Sequence, residues 1–174
     1  MISIVEADWS REGPRKYWDP GRKLLQSIRQ YQGYKKRTGL ISLILSKICV
    51  IQHGFWTVIT GADIPINCQL GGGLSIPRPN GIVIHPQASI GVNCLIHQQV
   101  TIGVKRGSEQ PPIIGAHVDI GAGAKIIGNI CIGNDALIGA NAVVVKDVEA
   151  GAIVAGIPAK VIGFTNEKGC SHVR

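Results

Sequence analysis

From Ile64 onward an aliphatic residue recurs every six positions, at Ile64, Leu70 and Ile76 and then, two residues out of phase, at Ile84, Ile90, Ile96, Ile102, Ile114, Ile120, Ile126, Ile132, Ile138 and Val144. Small or aliphatic residues fall four places later, at Ala88, Cys94, Val100, Val118, Ala124, Ile130, Ala136, Ala142 and Val148, and Gly directly follows the aliphatic at 91, 103, 115, 121, 133 and 139. This period predicts an all-β repeat, a parallel β-helix in which three hexads close one triangular coil and stacked coils bury a continuous aliphatic core. A β-sandwich would need strands spaced by about 8 to 12 residues with turn clusters between them, which this stretch lacks. Two interruptions stand out. Two extra residues fall near Gly81 to Val83, and a polar, Pro-rich loop at 104–113 replaces one hexad; loops thrown from a rigid scaffold tend to carry function.

Before the repeat the pattern is helical. Asp19-Pro20 is a helix-start signal within residues 8 to 32, and Leu24, Leu25, Ile28 and Tyr31 follow at the spacing of one helical face. Gly33 and Gly39, around the basic run Lys35-Lys36-Arg37, predict a break, with a second helix from Leu40 to His53. The expected organisation is a short basic helical segment at 1–60, the repeat at 61–163 and a tail at 164–174.

The composition agrees with a stack of small identical layers, with 23 Gly and only 5% aromatic residues in 174. The net charge of +7 sits at the N-terminus, where residues 1 to 50 hold ten Lys or Arg against four Asp or Glu. Arg15, Lys16, Arg22, Lys23 and Arg29 recur at spacings that equally describe the solvated side of a helix, and no interleaved stacking aromatics or RNA-binding motif accompany them, which argues against nucleic acid. The apolar stretch Leu40 to Ile51, broken by Lys47, is shorter than the roughly 20 residues of a spanning helix and reads as a packed or membrane-touching one. Cys49, Cys68, Cys94, Cys131 and Cys170 show neither CxxC pairing nor metal-ligand spacing, so five reduced, buried thiols and no metal are expected. Met1 to Trp9 carries Glu6 and Asp8 and no apolar run, so the expected location is cytoplasmic.

The stretches NGIVIHPQASIG, QQVTIG, IGAGAKIIGNICIG, IGANAVVVKDV and AGIPAKVIG, covering residues 63 to 163 densely, resemble the serine acetyltransferases and their sugar-acetylating relatives among the hexapeptide-repeat acyltransferases. The resemblance implies a left-handed coil, a homotrimer, and acetyl-CoA as co-substrate in the groove between neighbouring helices. Left-handed crossovers are an exception to the usual chirality rule. It implies Gly103 and Val104 near the thioester, Gly121, Ala122 and Ala140 along the pantetheine arm, and Lys160 near the phosphates. Asp19-Pro20 is similar to the family's Asp-Pro that helps bind serine, although helix capping accounts for it equally.

Moving an acetyl group from a thioester to a hydroxyl needs a base for the hydroxyl proton and donors for the tetrahedral oxyanion. The family's histidine lies just before a Gly-Ile-Val; here that stretch reads Pro77-Arg78-Pro79-Asn80-Gly81-Ile82-Val83, with Arg78 in the histidine's place. A guanidinium stays protonated and cannot act as a base. The second family histidine, at the end of the protruding loop, is replaced by Gln110-Pro111. A two-residue insertion stacks Ile76 on Ile96, which places His97 one coil, about 4.8 Å, beyond Pro77 and beside Arg78. His97 is therefore the first candidate base and His85, on an adjoining corner, the second; each reads otherwise as a surface histidine. Arg78 is suited to holding an acceptor carboxylate or phosphate, or the oxyanion. His53, His117 and His172 are read as background. Gly71-Gly72-Gly73 lacks the Lys-Ser/Thr of a phosphate loop and reads as a coil corner.

Two functions remain open on the sequence. One is an acetyl-CoA-dependent O-acetyltransferase acting on L-serine or on a sugar or polysaccharide-precursor hydroxyl. The other is a trimeric CoA-binding or scaffold protein that has lost its base. A related carbonic anhydrase would need three zinc histidines, whose spacing is not evident.

Overall fold

The computed structural model describes residues 3–165. Two helices precede the repeat: α1, Pro20–Lys35, and α2, Leu40–Thr60. Both exceed the sequence expectation. Gly33 lies inside α1 instead of ending it, because a lone Gly in a helix costs only about 1 kcal/mol against Ala and the tyrosines at 31 and 34 continue the turn. α2 runs seven residues past His53 to a left-handed Gly61 (φ 63°), a helix stop that needs no Cβ.

The repeat forms a left-handed parallel β-helix with three sheets. Sheet I stacks β1 (Gln69–Leu70), β3 (Ser89–Ile90), β6 (Ile113–Ile114) and β9 (Cys131–Ile132). Sheet II stacks β4 (Leu95–Ile96), β7 (Asp119–Ile120), β10 (Leu137–Ile138) and β12 (Ala152–Gly156), with β13 (Ala159–Phe164) added antiparallel at its end. Sheet III stacks β2 (Val83–Ile84), β5 (Thr101–Gly103), β8 (Lys125–Ile127) and β11 (Val143–Val144). Every aliphatic position of the six-residue series is buried, and so is every small residue four places on. Each such Ile removed from water contributes on the order of 2 kcal/mol, and the series makes one unbroken core.

Register records the interruptions. Paired residues are 18 apart at Val83 and Thr101, 24 apart at Leu95 and Asp119, where the loop adds a hexad, and 16 apart at Leu137 and Ile153. The two extra residues sit earlier than the sequence placed them. Ser75 bridges to Leu95, 20 residues on, whereas the Gln99 N–H already donates to the Asn80 carbonyl in the 18-residue register. The insertion therefore bulges the Pro77–Asn80 corner, which contains Arg78, because a rigid corner takes up added length more cheaply than a paired strand.

The corners impose their own sequence. Asn93, Gln99, His117, Asp135 and Asn141 adopt positive φ (54° to 61°), the left-handed bend for which Asn and Asp are the favoured side-chain-bearing residues. A Cβ on Gly91 would lie 2.5 Å from the Gly115 carbonyl carbon, so glycine there permits adjacent coils to touch through backbone. Gly71-Gly72-Gly73 is likewise a corner, where a Cβ on Gly71 would lie 2.4 Å from Gly91.

The N-terminal segment is bolted to the first coils. Leu24, Leu25 and Ile28 of α1 join the aliphatic core. The buried Glu12 carboxylate accepts from the Arg29 guanidinium (2.8 and 3.0 Å) and from the Leu74 N–H (3.0 Å), while Arg29 also donates to the Leu70 and Gly71 carbonyls. Fully buried Asn93 accepts from the Asp8 N–H and donates to the Ser3 and Glu6 carbonyls.

The cysteines divide. Cys49, Cys68 and Cys94 are buried and unpaired, and burial is the main cause pushing the Cys68 and Cys94 thiols up to about 11. Cys131 is exposed, contrary to expectation, because in β9 it occupies the outward position beside inward Ile132. Cys170 and His172 lie outside the described residues.

Three outcomes follow. Gly91→Ala should lower unfolding stability by about 3 kcal/mol, an overpacking cost with backbone on the far side, whereas Gly33→Ala, which meets nothing within 4 Å, should raise it by roughly 0.5–1 kcal/mol through helix propensity; urea denaturation measures both signs. Brief iodoacetamide treatment of the native protein followed by peptide mapping should find Cys131 alkylated ahead of Cys49, Cys68 and Cys94, since the thiolate is the nucleophile and burial suppresses it.

Candidate active site

One edge of the prism, where sheet II turns into sheet III, collects most of the candidate residues. His97 begins that corner in its coil, and its N–H donates to the Ile120 carbonyl (3.0 Å), which sets Gly121 directly above it. Gly121 in turn donates to Ile138, placing Gly139 above Gly121, and Gly139 donates to Val154, placing Ala155 above Gly139. Lys160 pairs with Ala155 across the β12–β13 hairpin. The neighbouring column runs Gln98, Ala122, Ala140, tied by the Gly123 N–H to the Gln98 carbonyl and the Asn141 N–H to the Ala122 carbonyl. His97, Gly121, Ala122, Ala140 and Lys160 therefore share one edge, and His97 and Lys160 are four coil spacings, roughly 19 Å, apart.

Steric facts along this edge separate scaffold from site. A Cβ on Gly121 would lie 2.6 Å from the Ala140 nitrogen, so coil stacking alone requires that glycine. Ala122 is half-buried and Ala140 exposed, which leaves a shallow, small-residue track. At its lower end the His97 ring is half-buried and makes no hydrogen bond among the described residues. Beside it, the Gln98 side-chain oxygen is buried without a donor. A buried acceptor normally has a partner, so this oxygen is open to a donor from outside the chain, whether water, a second copy or a ligand, at the lower end of the track.

Below His97 lies the bulged corner. Pro79 packs against the start of α1: a Cβ on Gly21 would sit 3.5 Å from the Pro79 ring and 2.8 Å from the Ile76 carbonyl. That contact brings Asp19, two residues earlier, to the corner that carries Arg78. Asp19 caps no backbone N–H with its side chain at the α1 N-cap; its carboxylate instead accepts from the Arg15 N–H (3.2 Å) and lies 3.6 Å from Arg22. Arg78 is exposed and has no carboxylate within 4 Å among the described residues. A free guanidinium and a carboxylate thus flank the same corner.

Gly103 and Val104 are not on this edge. Gly103 ends β5 and Val104 follows it at the corner between sheets III and I, where the 104–112 loop leaves the coil, and His85 stands one coil below, its N–H donating to the Ile102 carbonyl. The His85 Nδ1 accepts from the Gln87 N–H (3.3 Å), a bond that puts the neutral ring's proton on Nε2. Gly103 has no internal need for glycine: its nearest neighbours to an added Cβ are 3.8 Å away and its φ is not left-handed, so the missing side chain leaves room outside the coil. Within a single chain the two edges are separated by the width of sheet III.

Sequence reasoning passed over one arrangement. His117 Nδ1 lies 2.7 Å from Asp135 Oδ1 on the sheet I–sheet II edge, 18 residues apart and hence stacked coil on coil. The 18-residue repeat could have signalled it. The described residues contain no cluster of three His, Cys, Asp or Glu side chains able to hold a metal.

No protein-family model matches the chain. It is 43% identical over 111 residues to a serine acetyltransferase of Mycobacterium tuberculosis, a match covering 63% of this chain and 48% of that protein. It is 37% identical over 131 residues to a serine acetyltransferase of Helicobacter pylori, covering 74% of this chain and 72% of the relative. The chain accordingly spans about half the length of the mycobacterial relative. Among solved structures, the serine acetyltransferase of Brucella abortus in complex with coenzyme A superimposes with a TM-score of 0.72 at 33% identity, over 84% of this chain and 57% of that one. With such identity across most of the Helicobacter protein and a shared left-handed coil, this chain belongs to the serine acetyltransferase family of hexapeptide-repeat proteins.

Proposed function

We propose that this chain transfers the acetyl group of acetyl-CoA to the hydroxyl of L-serine. The observation that carries the reading is the single edge on which His97, Ala122, Ala140 and Lys160 align over a span suited to an extended pantetheine arm. Lys160 supplies a positive charge for the phosphates, the small Ala122 and Ala140 corners leave a track for the arm, and the unpaired Gln98 oxygen offers an acceptor at its reactive end. The Brucella relative binds coenzyme A on the same fold, which supports the assignment.

In this reading serine, a zwitterion, lies over the Pro77–Asn80 corner with its carboxylate on Arg78 and its ammonium toward Asp19. His97 takes the hydroxyl proton as the serine oxygen bonds to the thioester carbon. When the carbon–sulfur bond breaks, the protonated His97 returns that proton to the departing thiolate, so the base ends neutral. Arg78, charged at every relevant pH, holds the acceptor without competing for the proton. His85, Gly103, Val104 and the 104–112 loop come to the site from a neighbouring copy in a homotrimer, since heterologous contacts around a threefold axis bring one edge of a prism against another.

Thiol release from acetyl-CoA should be stimulated by L-serine; release with sugars and not with serine would overturn the acceptor. His97→Ala should lower turnover by roughly 10²- to 10⁴-fold with coenzyme A affinity retained, while His85→Ala should do little, and the opposite ranking would move the base to the second edge. Coenzyme A should raise the melting temperature of the wild-type protein, and Ala140→Trp should remove that rise by filling the track. Sedimentation at micromolar concentration should give a trimer, and a monomer would count against a site completed by a second copy.

A further inference from the structure

α2 carries its apolar face on the wrong side for a helix of a water-exposed surface. The fully buried positions of α2 are small or polar, Ser42, Cys49 and Thr60; beside them half-buried Trp56 packs against the core and His53 Nε2 binds the Ile64 carbonyl at 2.9 Å. The opposite face is a stripe of Ile41, Ile44, Ile48, Ile51, Phe55 and Val58, spaced at three and four residues, each between 43% and 81% exposed. A continuous exposed stripe of this length marks an interaction surface.

The charges around it indicate the partner. Residues 20–62 hold seven Lys or Arg and no Asp or Glu. Lys35, Lys36 and Arg37 stand at the turn into α2, all exposed, and exposed Lys47 lies on the margin of the stripe. A groove of about 480 Å³, lined in part by Gln32, Lys35, Lys36 and Asn67, opens beside the same turn. At the other end of α2 the aromatics gather: Trp18 meets Trp56 edge-on at 5.8 Å, Phe55 lies against Trp56 at 5.0 Å, and Trp18 and Phe55 are more than half exposed. A second copy docking through this face would bring basic surface against basic surface. An anionic bilayer surface meets all three features, taking the aliphatic stripe among its acyl chains, the aromatics at headgroup level and the basic turn against its phosphates.

We propose that α2 is an interfacial anchor that lies in the plane of an anionic membrane surface with Ile41, Ile48, Ile51 and Phe55 immersed. α2 is long and apolar enough to cross a bilayer, but both of its ends are fastened to one body. α1, ahead of it, packs into the coil core and binds the coil through Arg29, and Ala62, just after it, is already part of that core. A spanning helix would have to separate the two. The enzyme is thereby held at the membrane with its coil in the aqueous phase, a placement independent of which acceptor it acetylates.

Flotation of the full chain tests this, with vesicles of phosphatidylcholine alone and of phosphatidylcholine containing phosphatidylglycerol as about one third of the lipid. The wild-type protein should float with the anionic vesicles at low salt, much less at high salt, and its tryptophan emission should shift to the blue. Replacing Lys35, Lys36 and Arg37 together by Gln should weaken partitioning on the order of a hundredfold. The pair Ile48→Glu and Ile51→Glu should abolish it, with melting temperature and sedimentation coefficient unchanged. Absence of flotation at low salt would overturn the proposal. So would equal binding to neutral vesicles that the triple Gln variant leaves untouched. A change in sedimentation coefficient in the Ile48/Ile51 variant, with vesicle binding intact, would overturn it in favour of a second copy.

Discussion

The structure rests on backbone hydrogen bonding from coil to coil at a fixed spacing. Each strand is only two or three residues long in most layers, so no strand pair would persist alone. Stability comes from the stack, in which the same inward position repeats and Ile lies on Ile through the whole core. That constraint reaches the corners. Where coils touch through backbone, as at Gly71, Gly91 and Gly121, a side chain would drive the layers apart, and where the chain must bend left-handed, Asn and Asp serve.

A stack has two open ends, and the chain closes them differently. At the first coil Leu24, Leu25 and Ile28 of α1 cover the core, and the Glu12–Arg29 pair fixes the helix by binding coil backbone on both sides. A buried ion pair of this kind locates an element more than it stabilises it, because desolvation offsets much of its attraction. At the last coil β13 folds back antiparallel on β12 and carries Lys160 to the upper end of the edge that starts at His97. The capping devices thus also place candidate residues: α1 brings Asp19 toward the Arg78 corner, and β13 brings a cation to the far end of the track.

The same rigidity sets which side chains lie next to the bulged corner. His97 belongs to the coil above the corner that carries Arg78, because coil stacking puts residues some twenty apart in sequence within one layer spacing. The bulge at Pro77–Asn80 then presents Arg78 outward. α2 is the exception to the economy of the fold. Its aliphatic stripe contributes nothing to the core, and its cost in exposed apolar surface is compensated only by a partner outside the chain.

The six-residue period, read in the sequence, determined the fold, the inward side chains of its two series and the rise that sets His97 beside the Arg78 corner, because a repeat with one residue type per position leaves little freedom in how layers stack. Leu74 and Ile82, inward next to the insertion, lie outside those series. Motifs spread over residues 63 to 163 likewise carried the family. Helix ends were less legible: Gly33 sits within α1 because packing against the coil outweighs its propensity, and α2 runs on to Gly61. Cys131 was misjudged for a related reason, since inward and outward positions alternate within two-residue strands and composition does not tell them apart. What only the tertiary structure decided is which edge each corner residue joins. Gly103 and Val104 fall on a different edge from Ala122 and Ala140, the insertion lies at Arg78 instead of at Gly81 to Val83, His117 meets Asp135, and the apolar side of α2 faces outward. Those are matters of register and orientation, summed over every insertion in the chain, and they are settled only when the coils close.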